Sequence, residues 1–339
     1  MKPHTFRAAV VVEPGRLEVR TFHEPALGDY QVRCKMLFGT TCRGTDLAVI
    51  NGTFAFPVRY PAIIGHESVG RIVELGPRVR HLQLGDVVTR AAALPTQSCE
   101  VAWGGFATSG VAHDHQAMIE DGLPTSDTAD FRAQRAVPSD IDPVTACLFV
   151  NWRETLSYVT RIGGLDRARV LVVGSGGTGL SLARMARLLD ARTVVLVGTP
   201  SRQGLGEAVE VDEYVDYYAP PASHADRAFD IVLDTIGTSR SVNSCLPHLA
   251  TGGTLGIYGL HEWGRLEVDL SRARGSFEFY NEGYDESEAH DQTVTWAQEG
   301  RLDPTVWLQR GSEFPLEDIT AVYDAVRSQA VVKGLVRLH

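Results

Sequence analysis

Ten residues, Val170-Leu171-Val172-Val173-Gly174-Ser175-Gly176-Gly177-Thr178-Gly179, carry the plainest chemical signal in the chain. An apolar β-type run enters a loop with glycines at 174, 176 and 179. That is the G-x-G-x-x-G spacing that brings backbone N–H groups against a pyrophosphate. The first glycine permits the tight turn, the second lets the backbone approach the phosphates, and the third lets helix and strand pack closely. Residues 180–189 read as the helix, whose N-terminus favours an anion. Residues 193–197 read as the next strand. This context separates a dinucleotide site from a glycine-rich turn that binds nothing. Gly174, Ser175, Gly176, Gly177, Thr178 and Gly179 are the expected phosphate-loop residues.

In such sites an acid about 20 residues on accepts hydrogen bonds from the adenosine ribose. Here the chain reads Gly198-Thr199-Pro200-Ser201-Arg202. A small neutral Gly198 leaves room for a 2′-phosphate, Thr199 and Ser201 offer hydroxyls, and Arg202 adds a cation in fork geometry. NADP(H) is therefore expected over NAD(H). The bland alternative makes Arg202 a solvated surface charge.

A loop of this kind needs a parallel sheet beneath it. Strands are predicted at 170–173, 193–197, 231–234 and 254–258, with helical stretches between, which argues for a doubly wound sheet. Residues 234–237 and 258–260 end strands where such sheets bind ligands, so Tyr258 is expected to flank the nicotinamide. Tyr217 and Tyr218 close a run at 214–218, either at the adenosine end or at the solvent rim. The first 150 residues differ: they are β-rich, with strands at 32–37, 68–75 and 86–89. Residues 153–161 and 285–299 read as helical. Residues 316–327 are amphipathic, with Leu316, Ile319, Val322, Tyr323 and Val326 on one face. A last strand at 333–338 returns to the first domain, which implies a cleft between two lobes. The expected domains are 1–152, 153–285 and 286–339.

Composition bounds the partners. The chain has 339 residues, 44% apolar and 22% charged, as in soluble globular proteins. A formal charge of −10 argues against a nucleic-acid or anionic-membrane partner. Cysteines at 34, 42, 99, 147 and 245 are too scattered for a disulfide framework, and a reducing cytoplasm is the expected compartment. No signal-peptide pattern or membrane-spanning run is seen. The acidic residues Glu278, Glu282, Asp285, Glu286 and Glu288 read as a solvated face.

Three further stretches complete the pattern: Cys42-Arg43-Gly44-Thr45-Asp46, Gly65-His66-Glu67 between Pro61-Ala62-Ile63-Ile64 and Ser68-Val69-Gly70, and Leu84-Gly85-Asp86-Val87-Val88. With the later Rossmann unit they resemble the medium-chain dehydrogenase/reductase family over nearly the whole chain. The nearest likeness is to its zinc-type polyol, sugar and cyclitol dehydrogenases. The resemblance implies an α/β protein: a GroES-like β-rich catalytic domain plus a Rossmann doubly wound parallel sheet. It implies hydride transfer in the cleft, a small polar substrate, and a homodimer or homotetramer. It also implies a catalytic zinc on Cys42, His66 and Glu67, a donor set that suits this metal, with Thr45 as proton relay.

The chain departs from the family pattern at three places. The cysteine stretch carries one extra residue. Counting back from Thr45 puts Arg43 at the ligand position, where its guanidinium would stabilise an oxyanion. Counting forward from the strand puts Cys42 there, with Gly44 inserted at a turn, and this register is preferred. The late zinc ligand falls at Asn151, a poor donor that leaves Glu154 or water to fill in, while Cys147 reads as a small buried residue. The structural-zinc lobe is reduced to Cys99, so no structural zinc is expected. Trp103-Gly104-Gly105-Phe106 either lines the substrate cleft or packs as a turn. The expected function is an NADP(H)-dependent alcohol/ketone oxidoreductase acting, with zinc, on a polyol, sugar or cyclitol. The alternatives are a zinc-free enone or quinone reductase and a non-catalytic NADPH-binding protein.

Overall fold

The computed structural model describes residues 5–218, 228–309 and 311–339. The chain divides into two units, Met1–Val150 with Glu286–His339, and Asn151–Asp285.

The first unit is organised around the strand Gln31–Thr40, in which Val32, Cys34 and Met36 are buried at period two. It pairs antiparallel with Glu67–Leu75, Ser109–His113 and the late strand Leu335–Arg337. Two pairings matter for the site. Thr40 stands opposite Glu67, and it also stands opposite Leu335. The late strand thus returns beside Thr40 and Glu67. Helix Ile319–Arg327 buries Ile319, Val322, Tyr323 and Val326, the i, i+3, i+4, i+7 stripe of an amphipathic helix. They enter the same core as Met36, Val49, Ile50 and Val336. A smaller sheet pairs Thr5–Glu13 with Arg16–His23 and with Ala62–Ile63, which leads into Gly65. Cys99 lies in a second core with Phe6, Ala8, Val10 and Ala107. Burial pushes the Cys99 thiol up, and Cys147, fully buried, is pushed well above the ordinary thiol range for the same reason.

Two expectations change here. The helix predicted over 285–299 spans His290–Gln298, with turns before it. Glu286 is not on a solvated face: it is buried and paired with Arg90. A run of like charges reads as surface only when no partner folds against it.

In the second unit, the described strands form a parallel six-stranded sheet. Its order is Glu213–Asp216, Thr193–Gly198, Arg169–Val173, Phe229–Asp234, Leu249–Ile257 and Glu278–Tyr280. Val170, Val172, Val194, Val195, Leu196, Val232 and Leu233 are buried, the continuous apolar content of strands covered on both faces. The strand order reverses between Arg169–Val173 and Phe229–Asp234, and crevices at such switch points hold ligands. Among the described residues no helix is long and apolar enough to cross a membrane.

Candidate active site and cofactor loop

Gly65 makes the turn that delivers His66. Its φ is +97°, and a Cβ there would lie 2.5 Å from the Phe106 ring. On the facing segment, Cys42 is the N-cap of helix Arg43–Asn51. Cys42 Sγ, a His66 ring nitrogen and a Glu67 carboxylate oxygen lie within 4.8 Å of one another, the one such trio among the described residues. Arg43 is exposed, so Cys42 holds the ligand-like position. The extra residue is taken up inside the helix: Gly44 is its second residue, not a turn glycine. Thr45 Oγ1 lies 3.6 Å from Cys42 Sγ, within hydrogen-bond reach of sulfur.

An outer layer holds the trio. Asp46 accepts from Cys42 N at 2.8 Å and from the Tyr323 hydroxyl at 3.0 Å. Its Oδ1 stands 3.3 Å from His66 Nδ1, an ion-pair distance without hydrogen-bond alignment. Burial alone would lower the proton affinity of His66. The Asp46 carboxylate and the Cys42 sulfur outweigh it and raise that affinity well above the usual imidazole value. Glu67 is fully buried, and its carboxylate accepts from Lys333 Nζ at 2.6 and 2.7 Å and from Thr40 Oγ1 at 2.5 Å. Arg90 Nη1 donates to the His66 carbonyl at 3.0 Å. Asp46, Tyr323, Lys333 and Arg90 were not among the expected site residues. The Asp directly after Thr45 and the lone lysine before the last strand were the available signals.

The donor set fits zinc. It offers a soft thiolate, an imidazole whose other nitrogen faces a carboxylate, and a carboxylate whose oxygens keep lone pairs beyond those that Lys333 and Thr40 occupy. The late-ligand candidates Asn151 and Glu154 belong to the second unit. Asn151 accepts from Ser181 Oγ at 2.5 Å and donates to Thr178 Oγ1 at 3.5 Å. Glu154 accepts from the Tyr258 and Tyr284 hydroxyls at 3.1 and 3.0 Å. Both side chains serve the second unit's own packing. Trp103, with φ +67°, is 41% exposed, and its ring lies 5.3 Å from that of His66.

In the second unit, helix Gly177–Leu188 follows the glycine loop, and its N-cap Gly176 has open space around it. Gly179 does not: a Cβ there would overlap the Gly174 carbonyl oxygen. Gly179→Ala is accordingly expected to destabilise the fold by about 3 kcal/mol, the upper range for overpacking, and to weaken NADPH binding. Urea melts and fluorescence titration with NADPH would show both effects. An alanine variant with unchanged stability would contradict the close packing.

The adenosine end differs from expectation in its details. Gly198 does not leave an empty space, because a Cβ there would meet Ser175 Oγ and the Tyr214 hydroxyl. Arg202 is not a solvated surface charge. It is 8% exposed and donates through Nη1 to the Ser175 carbonyl at 2.8 Å. Thr199 N reaches Ser175 Oγ at 3.3 Å, and the Thr199 and Ser201 hydroxyls lie 3.4 Å apart. Tyr214, which donates to the Thr199 carbonyl at 2.6 Å, belongs to this group and is not among the expected site residues. Tyr217 N donates to the Gly198 carbonyl, while Tyr218 is 75% exposed. Tyr258 stacks on Tyr284, with its hydroxyl on Glu154.

A Rossmann sheet with a phosphate loop, joined in one chain to a β-rich unit bearing a thiol–imidazole–carboxylate trio, defines a nucleotide-dependent oxidoreductase. Family comparison agrees: the alcohol dehydrogenase GroES-like domain matches residues 28–121, and the zinc-binding dehydrogenase domain matches 177–277. The chain belongs to the medium-chain dehydrogenase/reductase family and is an NAD(P)-dependent enzyme of it. Similar proteins include D-arabinitol dehydrogenase 1 of Uromyces fabae, 28% identical over 70% of each chain. L-galactonate-5-dehydrogenase of Escherichia coli K12 is 26% identical over 76% of each. An NADP-bound structure from Sinorhizobium meliloti 1021 shares the fold at TM-score 0.79 and 20% identity, covering 98% of this chain and 99% of that one.

Proposed function

We propose that the protein interconverts an alcohol and a ketone on a polyol, sugar or cyclitol substrate, using NADP(H) and a zinc ion held by Cys42, His66 and Glu67. The carrying observation is the trio with its outer layer, in which Asp46 stands at ion-pair distance from His66 and Lys333 holds Glu67. Bound zinc supplies Lewis-acid polarisation of the alcohol oxygen. The chain's own residues do the rest. Asp46 directs the second imidazole nitrogen, Nε2, toward the trio, where it stands 3.8 Å from Glu67 Oε1. Thr45 Oγ1, beside the thiol, would take the proton leaving the substrate hydroxyl while releasing its own to water. The polyol and sugar-acid activities named for the two relatives above support the substrate class.

Arg202 supports the choice of NADP(H): its guanidinium is held at the phosphate loop, beside the place of the ribose in such sheets. Arg202→Ala is expected to lower kcat/KM for NADPH by roughly 10–100-fold, as for loss of a charge-assisted hydrogen bond, and to change NADH use far less. Equal losses with both cofactors would remove the basis for the preference.

One observation favours the zinc-free enone or quinone reductase as a second reading: Asn151 at the late-ligand position is turned to Ser181 and Thr178. Metal analysis and an activity panel separate the two. One zinc per chain and chelator-sensitive alcohol oxidation support the proposal. A metal-free preparation active on enones supports the alternative.

A further inference from the structure

We propose that Trp103 is a specificity-determining platform that selects ring-shaped alcohols over open-chain ones. This rests on the reading that the alcohol reacts at the Cys42–His66–Glu67 trio. Trp103 is not held in a core. Its backbone lies in the left-handed region at φ +67°, a conformation uncommon for a bulky residue and one that clusters at ligand sites.

The backbone on either side fixes it to the segment that carries His66. Ala102 N donates to the Ile63 carbonyl at 2.8 Å, Gly105 N to Gly65 at 2.6 Å, and Phe106 N to Ile64 at 2.9 Å. The indole lies 5.3 Å from the His66 ring at an interplanar angle of 52°. Phe54 meets it edge-on at 5.6 Å, and Phe56 continues the aromatic row at 5.6 Å from Phe54.

The Trp103–Phe54–Phe56 row presents aromatic rings, which read C–H surface and not hydroxyls. A saturated ring presents a rigid C–H face with its hydroxyls at the rim, where they can turn toward the trio. An open-chain polyol carries hydroxyls all around and must freeze several bonds to bind, a cost that a preorganised ring avoids.

The test compares wild type, Trp103→Ala and Trp103→Phe on a cyclohexanehexol and an open-chain hexitol with NADP+. Zinc content, melting temperature and calorimetric binding of the cyclic compound are followed alongside. The wild type is expected to prefer the ring. Trp103→Ala is expected to reduce that preference at least about tenfold, about 1.4 kcal/mol, through KM and ring binding, with zinc content unchanged. Trp103→Phe should retain most of it. Preference for the open chain in the wild type, or equal losses on both substrates in Trp103→Ala, would overturn the platform. If no alcohol is oxidised but ring binding still depends on Trp103, the platform stands and the alcohol reading falls.

Discussion

Replacing Cys42 with serine is expected to strip zinc from the protein and to lower kcat/KM for alcohol oxidation on the order of a thousandfold, about 4 kcal/mol of transition-state stabilisation. Serine keeps the size of the side chain but exchanges a soft, ionisable sulfur for a hydroxyl that stays protonated at neutral pH. The substitution is useful because of where Cys42 sits. It is the N-cap of helix Arg43–Asn51, with no side-chain cap hydrogen bond, and serine is among the best N-cap residues. The fold should therefore be kept or slightly strengthened while the donor set is broken. Metal analysis should show less than one zinc per chain, calorimetry of the two metal-free forms an unchanged or raised melting temperature, and titration an unchanged NADPH affinity. A serine variant that keeps its zinc and most of its activity would remove Cys42 from the metal site.

What was legible in the sequence follows from how local each interaction is. The glycine loop could be read because its three glycines, the strand before and the helix after lie within about one βαβ unit. That the sheet is parallel and doubly wound followed from strand–helix alternation; the order of its strands is seen only in the structure. The trio's outer layer could not be read this way. Lys333 meets Glu67 across 266 residues of sequence, and Tyr323 meets Asp46 across 277. Nothing local marks either pair; only the return of the last strand onto Thr40 brings them together. Side-chain direction was equally hidden. Spacing placed Asn151 where a ligand stands in related proteins, but its amide faces the helix of its own unit. At Gly198 the absent acid was visible, whereas the reason was not: Ser175 and Tyr214 already fill the space that a larger residue would need.

Removing Lys333 is expected to destabilise the fold strongly. Glu67 is 0% exposed and Lys333 4%. Replacing Lys333 with methionine keeps the length of the side chain but leaves a buried carboxylate without its cation. Breaking a buried pair from one side costs about 3–5 kcal/mol, because the remaining charge stays desolvated. For a unit of this size that lowers Tm by roughly 10 °C. Part of the loss is specific to charge and can be isolated. In Lys333→Met combined with Glu67→Gln no net charge is buried, so the double variant should recover much of the stability lost by Lys333→Met alone, a non-additivity expected of residues in direct contact. The same pair sets the position of the Glu67 carboxylate beside Cys42 and His66. Lys333→Met is therefore also expected to weaken zinc binding by roughly 10–100-fold, as for other supports of metal ligands. A chelator competition titration measures this without reference to turnover. Destabilisation below about 1 kcal/mol, in the range of an exposed ion pair, would show that Glu67 finds another partner or solvent in the absence of the lysine.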